Sequence, residues 1–412
     1  MSINKYWLVI CLSILAGGCS KSEKIEQPEF DESVEQEIIE PIKIGDLWSY
    51  TGFANYGKTY KQGWQLALKE VNEAGGVLGR PVEVISRDAQ RDPGQAVTAA
   101  NDLIHSEGVF ALMGVAFSHI GLAVSQAAER EQVPFVAAWC GTDKLLWDNG
   151  HRYVFRISPG NIAYSGIAAA AVKHLPAKRW GILASNYEAG HAYVGNFKPA
   201  LLNQRPDVEF VVEQWPTLGK LDAGITIQAL RSDNPEALLV FLPGADNATF
   251  IREKQTRDWT GVDVFSFMDG FPEEMIVLES IYPDGHHTFT LPSRDSGGAA
   301  YKKFYDGYQV MHNESAGFAS ALGYLALRSI VEGIREAGEI DREKFIDAME
   351  RIEFDFFADT FSFEPNYHQG LFDLETGVTK LTDDGPQIVD RQYHFAKDHL
   401  APEEVVAARR AQ

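Results

Sequence analysis

Few residues in this chain of 412 have the type and spacing to carry out covalent chemistry. Asp295-Ser296-Gly297-Gly298 has the outline of a serine nucleophile loop, but Arg294 precedes it and the needed His and Asp contexts are missing. A polar loop with a Ser cap accounts for it more simply. His286-His287 could suggest a metal, yet neighbours on a strand point to opposite faces, and no nearby Cys or His completes a four-ligand set. Cys140 has no base beside it that the sequence reveals, so a packed thiol is the better assignment. Walker A, H-E-x-x-H, G-x-S-x-G and C-x-x-C strings do not occur, and Asn247-Ala248-Thr249 is a glycosylation sequon by pattern only. The chain reads as a binder and not an enzyme, with no cofactor and no metal implied.

The N-terminus carries an address. Lys5 supplies a positive charge, an apolar stretch of about ten residues follows at 6–15, and Ala16-Gly17-Gly18 then lead to Cys19. That stretch is too short to span a bilayer, which takes about 20 residues. Leu15-Ala16-Gly17-Gly18-Cys19 resembles a lipobox, whose cleavage leaves a Cys thiol carrying diacylglycerol. An ordinary signal peptide with an incidental Cys is the alternative. Lipidation at Cys19 would anchor the chain to a membrane from the periplasmic side. Residues 19–41 then form a tether with eight acids from Glu23 to Glu40 against only Lys21 and Lys24, a composition that repels itself and stays extended.

Lys+Arg is 37 and Asp+Glu 58, a net charge of −21, which speaks against a nucleic-acid partner. With 45% hydrophobic residues the body is globular rather than disordered. Its elements alternate. A strand at 42–47, a helix at 58–72, a strand at 82–86, a helix at 95–106, a strand at 109–114, a helix at 118–130 and a strand at 134–139 make a β-α-β series. The series restarts after Pro159 and runs to a strand at 264–268; three helical stretches (298–311, 318–337, 342–351) and a strand-rich segment at 360–395 close the chain. Two α/β lobes with parallel-sheet cores are expected. Such sheets bind ligands beyond the carboxyl ends of their strands, here the loops at 48–57, 115–118, 139–143, 185–190, 243–246 and 269–271. Because these loops come from both lobes, the arrangement expected is a clamshell closing on a small molecule.

Several segments resemble the leucine/isoleucine/valine-binding proteins, type I periplasmic solute-binding proteins that feed ABC transporters. They are Ile44-Gly45, Thr51 to Gly57, Val71 to Gly76 with Leu78-Gly79-Arg80-Pro81, Asp88 with Asp92-Pro93, Gly114 to Ser118, Val133-Pro134, Phe155-Arg156, Glu236 to Phe250 and Phe363 to Gly370. Their order and spacing cover about 42–395. The resemblance implies two Rossmann-like lobes joined by crossovers near 158–160, 288–292 and 361–365. The first lobe is then 42–158 plus 292–361, the second 161–288 plus 365–397, and 398–412 a tail. It also implies capture of an amino acid or related small carboxylate for permease and ATPase subunits; the same clamshell serves ligand-sensing receptors and regulators.

Site residues follow from the same resemblance. The ligand carboxylate would sit at Ser118 and at the turn holding Trp139, Gly141 and Thr142. A hydroxyl and free N–H groups at a helix N-terminus do favour an anion, although Ser118 could equally be a plain N-cap. Tyr56 and Phe318 match aromatic walls, and Tyr187 stands near a position where relatives often carry Tyr and this chain has Ala189. Asp269 matches the second-lobe acid that pairs with an ammonium, or else caps the next helix. Trp139 and Cys140 replace small residues and a hydroxyl in the anion turn, so branched-chain specificity does not carry over with the fold.

Overall fold

The computed structural model describes residues 40–358 and 360–411; the signal-like stretch, Cys19 and the tether up to residue 39 lie outside the described residues. The first lobe opens with β1 (Ile42–Trp48), α1 (Ala54–Glu73), β2 (Val82–Asp88), α2 (Pro93–His105), β3 (Ala111–Gly114), α3 (Ser118–Arg130), β4 (Phe135–Ala137) and β5 (Val154–Arg156). The chain then crosses to the second lobe, with α4 (Asn161–Val172), β6 (Arg179–Ala184), α5 (Glu188–Gln204), β7 (Glu209–Gln214), α6 (Ala223–Ser232), β8 (Ala237–Phe241), α7 (Ala245–Thr256), β9 (Asp263–Ser266), α8 (Pro272–Leu278) and β10 (His287–Thr290). It returns to the first through α9 (Gly298–His312), α10 (Phe318–Ala337), α11 (Arg342–Met349), β11 (Glu353–Asp355), β12 (Thr360–Glu364) and β13 (Gln369–Gly370). The hairpin β14 (Leu374–Thr382) and β15 (Gly385–His394) belongs to the second lobe, and α12 (Glu403–Arg410) ends the described chain.

Two sheets result, ordered β11-β12-β13-β5-β4-β3-β1-β2 and β15-β14-β10-β9-β8-β6-β7. Within each, the strands at the core pair in parallel, and antiparallel pairing is confined to the β11–β13 and β14–β15 additions. The core strands are short and buried on both faces (β3, β4, β5 and β8 throughout), as parallel strands covered by helices must be. The two-lobe α/β architecture expected from the alternation is therefore present.

Helix packing brings the first lobe's aromatic residues to one end. Tyr56, Tyr60 and Trp64 recur at four-residue spacing on α1 and are all buried. The close crossing of α1 with α10 depends on paired glycines: a Cβ on Gly63 would stand 2.0 Å from the Ser320 carbonyl oxygen, and one on Gly323 2.1 Å from that of Tyr60. This contact delivers the N-terminus of α10 to the cleft.

Three differences from the sequence expectation have local causes. β5, β10 and α8 have three, four and seven residues, too few to show a period. The third crossover falls at 371–373 and not at 361–365, because β12 and β13 pair with each other and β13 then joins β5 in the first sheet. The C-terminal segment is no free tail: Val406 is buried, Arg409 pairs with Asp148 at 2.6 Å, and Arg410 donates to the carbonyls of Leu146 and Asn366 on the first lobe.

Candidate functional site

A narrow cavity of about 30 Å³ lies where the carboxyl ends of the two sheets face each other. The first lobe contributes Phe53 after β1, Ala116, Phe117 and Ser118 after β3, and Trp139 and Gly141 after β4. The second contributes Asn161, Tyr187 and Ala189, Phe241 and Pro243 from the end of β8, and Phe267 and Met268 after β9. Most of the wall is aromatic or aliphatic, and no Lys, Arg, Asp or Glu belongs to it. A wider groove, about 660 Å³, opens beside the second crossover near Pro272, Tyr301 and Arg391, away from the strand ends where α/β sheets place ligands.

The polar end of the cavity is the start of α3. Phe117 is its N-cap and supplies no side-chain cap, so the first-turn N–H groups lack an intrahelical acceptor. Ser118 Oγ accepts the Thr142 N–H at 3.1 Å, which leaves its own proton for another acceptor. Val115, just upstream, has φ 58° although it is β-branched and buried, a costly backbone state fixed by its N–H donation to Leu47 O at 2.6 Å. That strain turns the chain so that α3 points its positive end into the cleft. The opposing turn is clamped from below by buried Arg156, which donates to the carbonyls of Cys140 (3.1 Å) and Thr142 (2.7 Å) and twice to Gln369 Oε1. Gln369 in turn donates to Ser158 O, tying the turn to two hinge segments. Burial pushes the Cys140 thiol up to about 12, which removes it as a thiolate nucleophile at neutral pH.

Behind the second-lobe wall stands a group of buried acids, each already provided with donors. Asp269 Oδ1 accepts Asn247 Nδ2–H at 2.8 Å, and Oδ2 accepts His286 Nδ1–H at 2.8 Å. Glu274 accepts the Tyr56 hydroxyl across the cleft at 3.2 Å; burial pushes its carboxyl up to about 8, and the Asp269 charge adds to the rise. Glu273 also reaches the first lobe, accepting the N–H groups of Phe318 and Ala319 (both 2.9 Å) and the Thr59 hydroxyl (2.8 Å). It thereby caps α10, whose own N-cap is Gly317; a Cβ there would lie 2.2 Å from Glu273 Oε1. A helix of one lobe is thus capped by an acid of the other.

Of the residues expected at the site, Ser118, Trp139, Gly141 and Tyr187 line the cavity. Four stand one layer back. Tyr56 stacks on Phe53 (centroids 4.4 Å apart) and gives its hydroxyl to Glu274. Phe318 packs behind Trp139 at 4.8 Å. Thr142 presents its N–H to Ser118 and its hydroxyl to Glu188 at 2.9 Å. Asp269 is fully buried against Asn247 and His286. Phe53, Phe117 and Pro243 lay inside loops already assigned to the strand ends, and their apolar character is the signal that could have singled them out. Asn161 and Phe267 had no such signal, being placed by the hinge and by the exit of β9.

Among the described residues no helix is long and apolar enough to cross a membrane, and no group of three or more His, Cys, Asp or Glu could hold a metal ion. Comparison with known proteins places the architecture. The chain is 24% identical over 311 residues to the leucine-, isoleucine-, valine-, threonine-, and alanine-binding protein of Pseudomonas aeruginosa, covering 75% of this chain and 82% of that protein. In structure it is similar to a solute binding protein of an ABC transporter from Rhodopseudomonas palustris in complex with 3,4-dihydroxy benzoic acid (TM-score 0.77, 21% identity, 86% of this chain and 98% of that one). It is also similar to an amino acid ABC transporter substrate-binding protein from Pseudomonas fluorescens (TM-score 0.78, 20% identity, 90% and 98%). The family model for periplasmic binding proteins matches residues 41–385, most of the chain. The chain belongs to the periplasmic binding protein family.

Proposed function

We propose that this protein captures a small carboxylate in the interlobe cavity and presents it to the permease and ATPase subunits of an ABC importer, held at the periplasmic face of a membrane by lipid on Cys19. The observation that supports it most is the pairing, in one cavity, of the uncapped α3 N-terminus and Ser118 hydroxyl with walls that are otherwise apolar. N–H groups and a hydroxyl at a helix start stabilise an anion, while the walls favour an apolar body on it. The family relation supports the transport role, since the P. aeruginosa relative is named for the amino acids it binds and the R. palustris neighbour holds an aromatic acid.

A ligand that binds only the folded state raises the melting temperature. A thermal-shift screen of the soluble body against amino acids, aliphatic acids, aromatic acids and the matching amides is expected to single out carboxylates over their amides. A screen in which amides or sugars stabilise and carboxylates do not would contradict the proposal. Mass spectrometry of the native N-terminus is expected to find a diacylated Cys19; a free N-terminus elsewhere would remove the anchor.

A further inference from the structure

Resting on that carboxylate reading, we propose that Arg91 gates the cavity: its guanidinium draws an anion to the parted lobes and bars the mouth once they meet. Arg91 lies in the first-lobe loop between β2 and α2, where Gln90 and Arg91 have φ of 50° and 61°. Two consecutive non-glycine residues in the left-handed region are costly, and the turn they make carries the Arg91 side chain to the second lobe. A glycine from each lobe makes room for it. A Cβ on Gly52 would stand 2.2 Å from Arg91 Cδ, and one on Gly219 2.9 Å from Nη2. Gly219 itself has φ 74° and belongs to a second-lobe turn held by Asp246, which accepts the N–H groups of Gly219 (2.7 Å) and Leu221 (3.2 Å).

The guanidinium covers the cavity wall without belonging to it. It lies 5.4 Å from the Phe117 ring centroid and donates to Gly52 O at 3.2 Å, next to Phe53. Phe53 and Phe117 are buried cavity residues, whereas Arg91 is half-buried, so it stands between those rings and solvent. Among the described residues no carboxylate pairs with it, while Arg87 on the preceding strand is paired with both Asp102 and Glu107. An anion approaches a chain of net charge −21 against repulsion, and an uncommitted cation at the cleft reverses the field locally. The two lobes hold Arg91 unequally. The first has the Gly52 hydrogen bond and the Phe117 ring; the second has only the Gly219 backbone lying against it. When the lobes part, Arg91 stays with the lobe that carries Ser118, its charge turned to the open cleft. When they meet, it lies between Gly52 and Gly219 and must swing aside before a ligand leaves.

Stopped-flow tryptophan fluorescence of the purified protein tests this, with benzoate, 4-methylpentanoate and the zwitterion leucine as probes at low and high salt. Arg91→Gln is expected to slow association of the two anions about three- to tenfold at low salt and to flatten the salt dependence of that rate. Arg91→Lys, which keeps the charge, should retain the wild-type salt dependence. Leucine carries no net charge, and its association should change less than about twofold. For every probe that binds, Arg91→Gln should speed dissociation at least about threefold, since the mouth is no longer barred. A merely structural role for Arg91 would alter stability and leave the salt dependence of association as it is. Probes that bind with the same salt dependence, or the same dissociation rate, in wild type and Arg91→Gln would overturn the inference and leave the carboxylate reading standing. Binding of none of the three would overturn both.

Discussion

Two side chains, Ser118 and Glu274, govern binding in the cleft. Ser118 holds the Thr142 N–H and keeps a proton to give, so Ser118→Ala removes one hydrogen bond to a charged ligand and one anchor of the opposing turn. A hydrogen bond to a charged group contributes about 1.5–3 kcal/mol, and Ser118→Ala should weaken carboxylate binding roughly ten- to hundredfold by calorimetry. An unchanged affinity would remove Ser118 from the site. Glu274 makes the affinity depend on pH. Facing it are Tyr56 from α1, Asn247 from α7, Glu273 beside it on α8, and Asp269 at the end of β9. Burial in the closed form holds its carboxyl near 8; parting the lobes rehydrates it and lowers it from there, although Asp269 stays beside it, so closure takes up a proton. The advantage to the closed form is greatest at low pH, declines as pH rises, and is gone above about 8. Affinity is expected to fall between pH 6 and 8 by at most tenfold per unit. Glu274→Gln should flatten that profile, and an equally steep fall in the variant would assign the effect to another group.

At the scale of elements, the decisive contact is between α8 and α10. A seven-residue helix from one lobe supplies the N-cap of a twenty-residue helix in the other, and Gly317 makes room for it. Loss of a cap costs about 1 kcal/mol, and more where the cap is charged and receives three donors. Glu273→Gln should therefore favour the parted lobes. Small-angle scattering without ligand should give a larger radius of gyration for Glu273→Gln than for wild type, with an affinity loss of roughly fivefold or more. Equal radii and equal affinities would make the cap incidental to closure. The long elements were legible in the sequence because their periods are long enough to read: α3 and α10 begin and end where the apolar spacing put them. α8 was not, since seven residues show no period, and its two adjacent buried acids are explained only by tertiary partners, the α10 amides for Glu273 and Tyr56 with Asn247 for Glu274. Third-crossover placement failed for a like reason: Phe363-Glu364-Pro365 looks like a strand's end, but the pairing of Phe363 with Gly370 extends the first sheet past it.

At the scale of the whole molecule, the two sheets meet at their carboxyl ends, and the sequence located the loops there more accurately than the side chains within them. Ser118, Trp139, Gly141 and Tyr187 reached the cavity wall, while Tyr56, Thr142, Asp269 and Phe318 stand behind it. Whether a side chain in such a loop faces the ligand or a neighbour depends on partners distant in sequence: Tyr56 on Glu274, Asp269 on His286 and Asn247, Thr142 on Glu188. No pattern within a single loop encodes those pairings. A crystal structure of the protein with the tightest acid from the screen would show whether the cavity between the lobes is the seat of a carboxylate. Ligand density is expected between Trp139 and Tyr187, with its carboxylate within hydrogen-bonding distance of Ser118 Oγ and the first-turn N–H groups of α3. Density in the groove by Pro272 and Tyr301, or a carboxylate turned away from Ser118 toward Phe267, would contradict it.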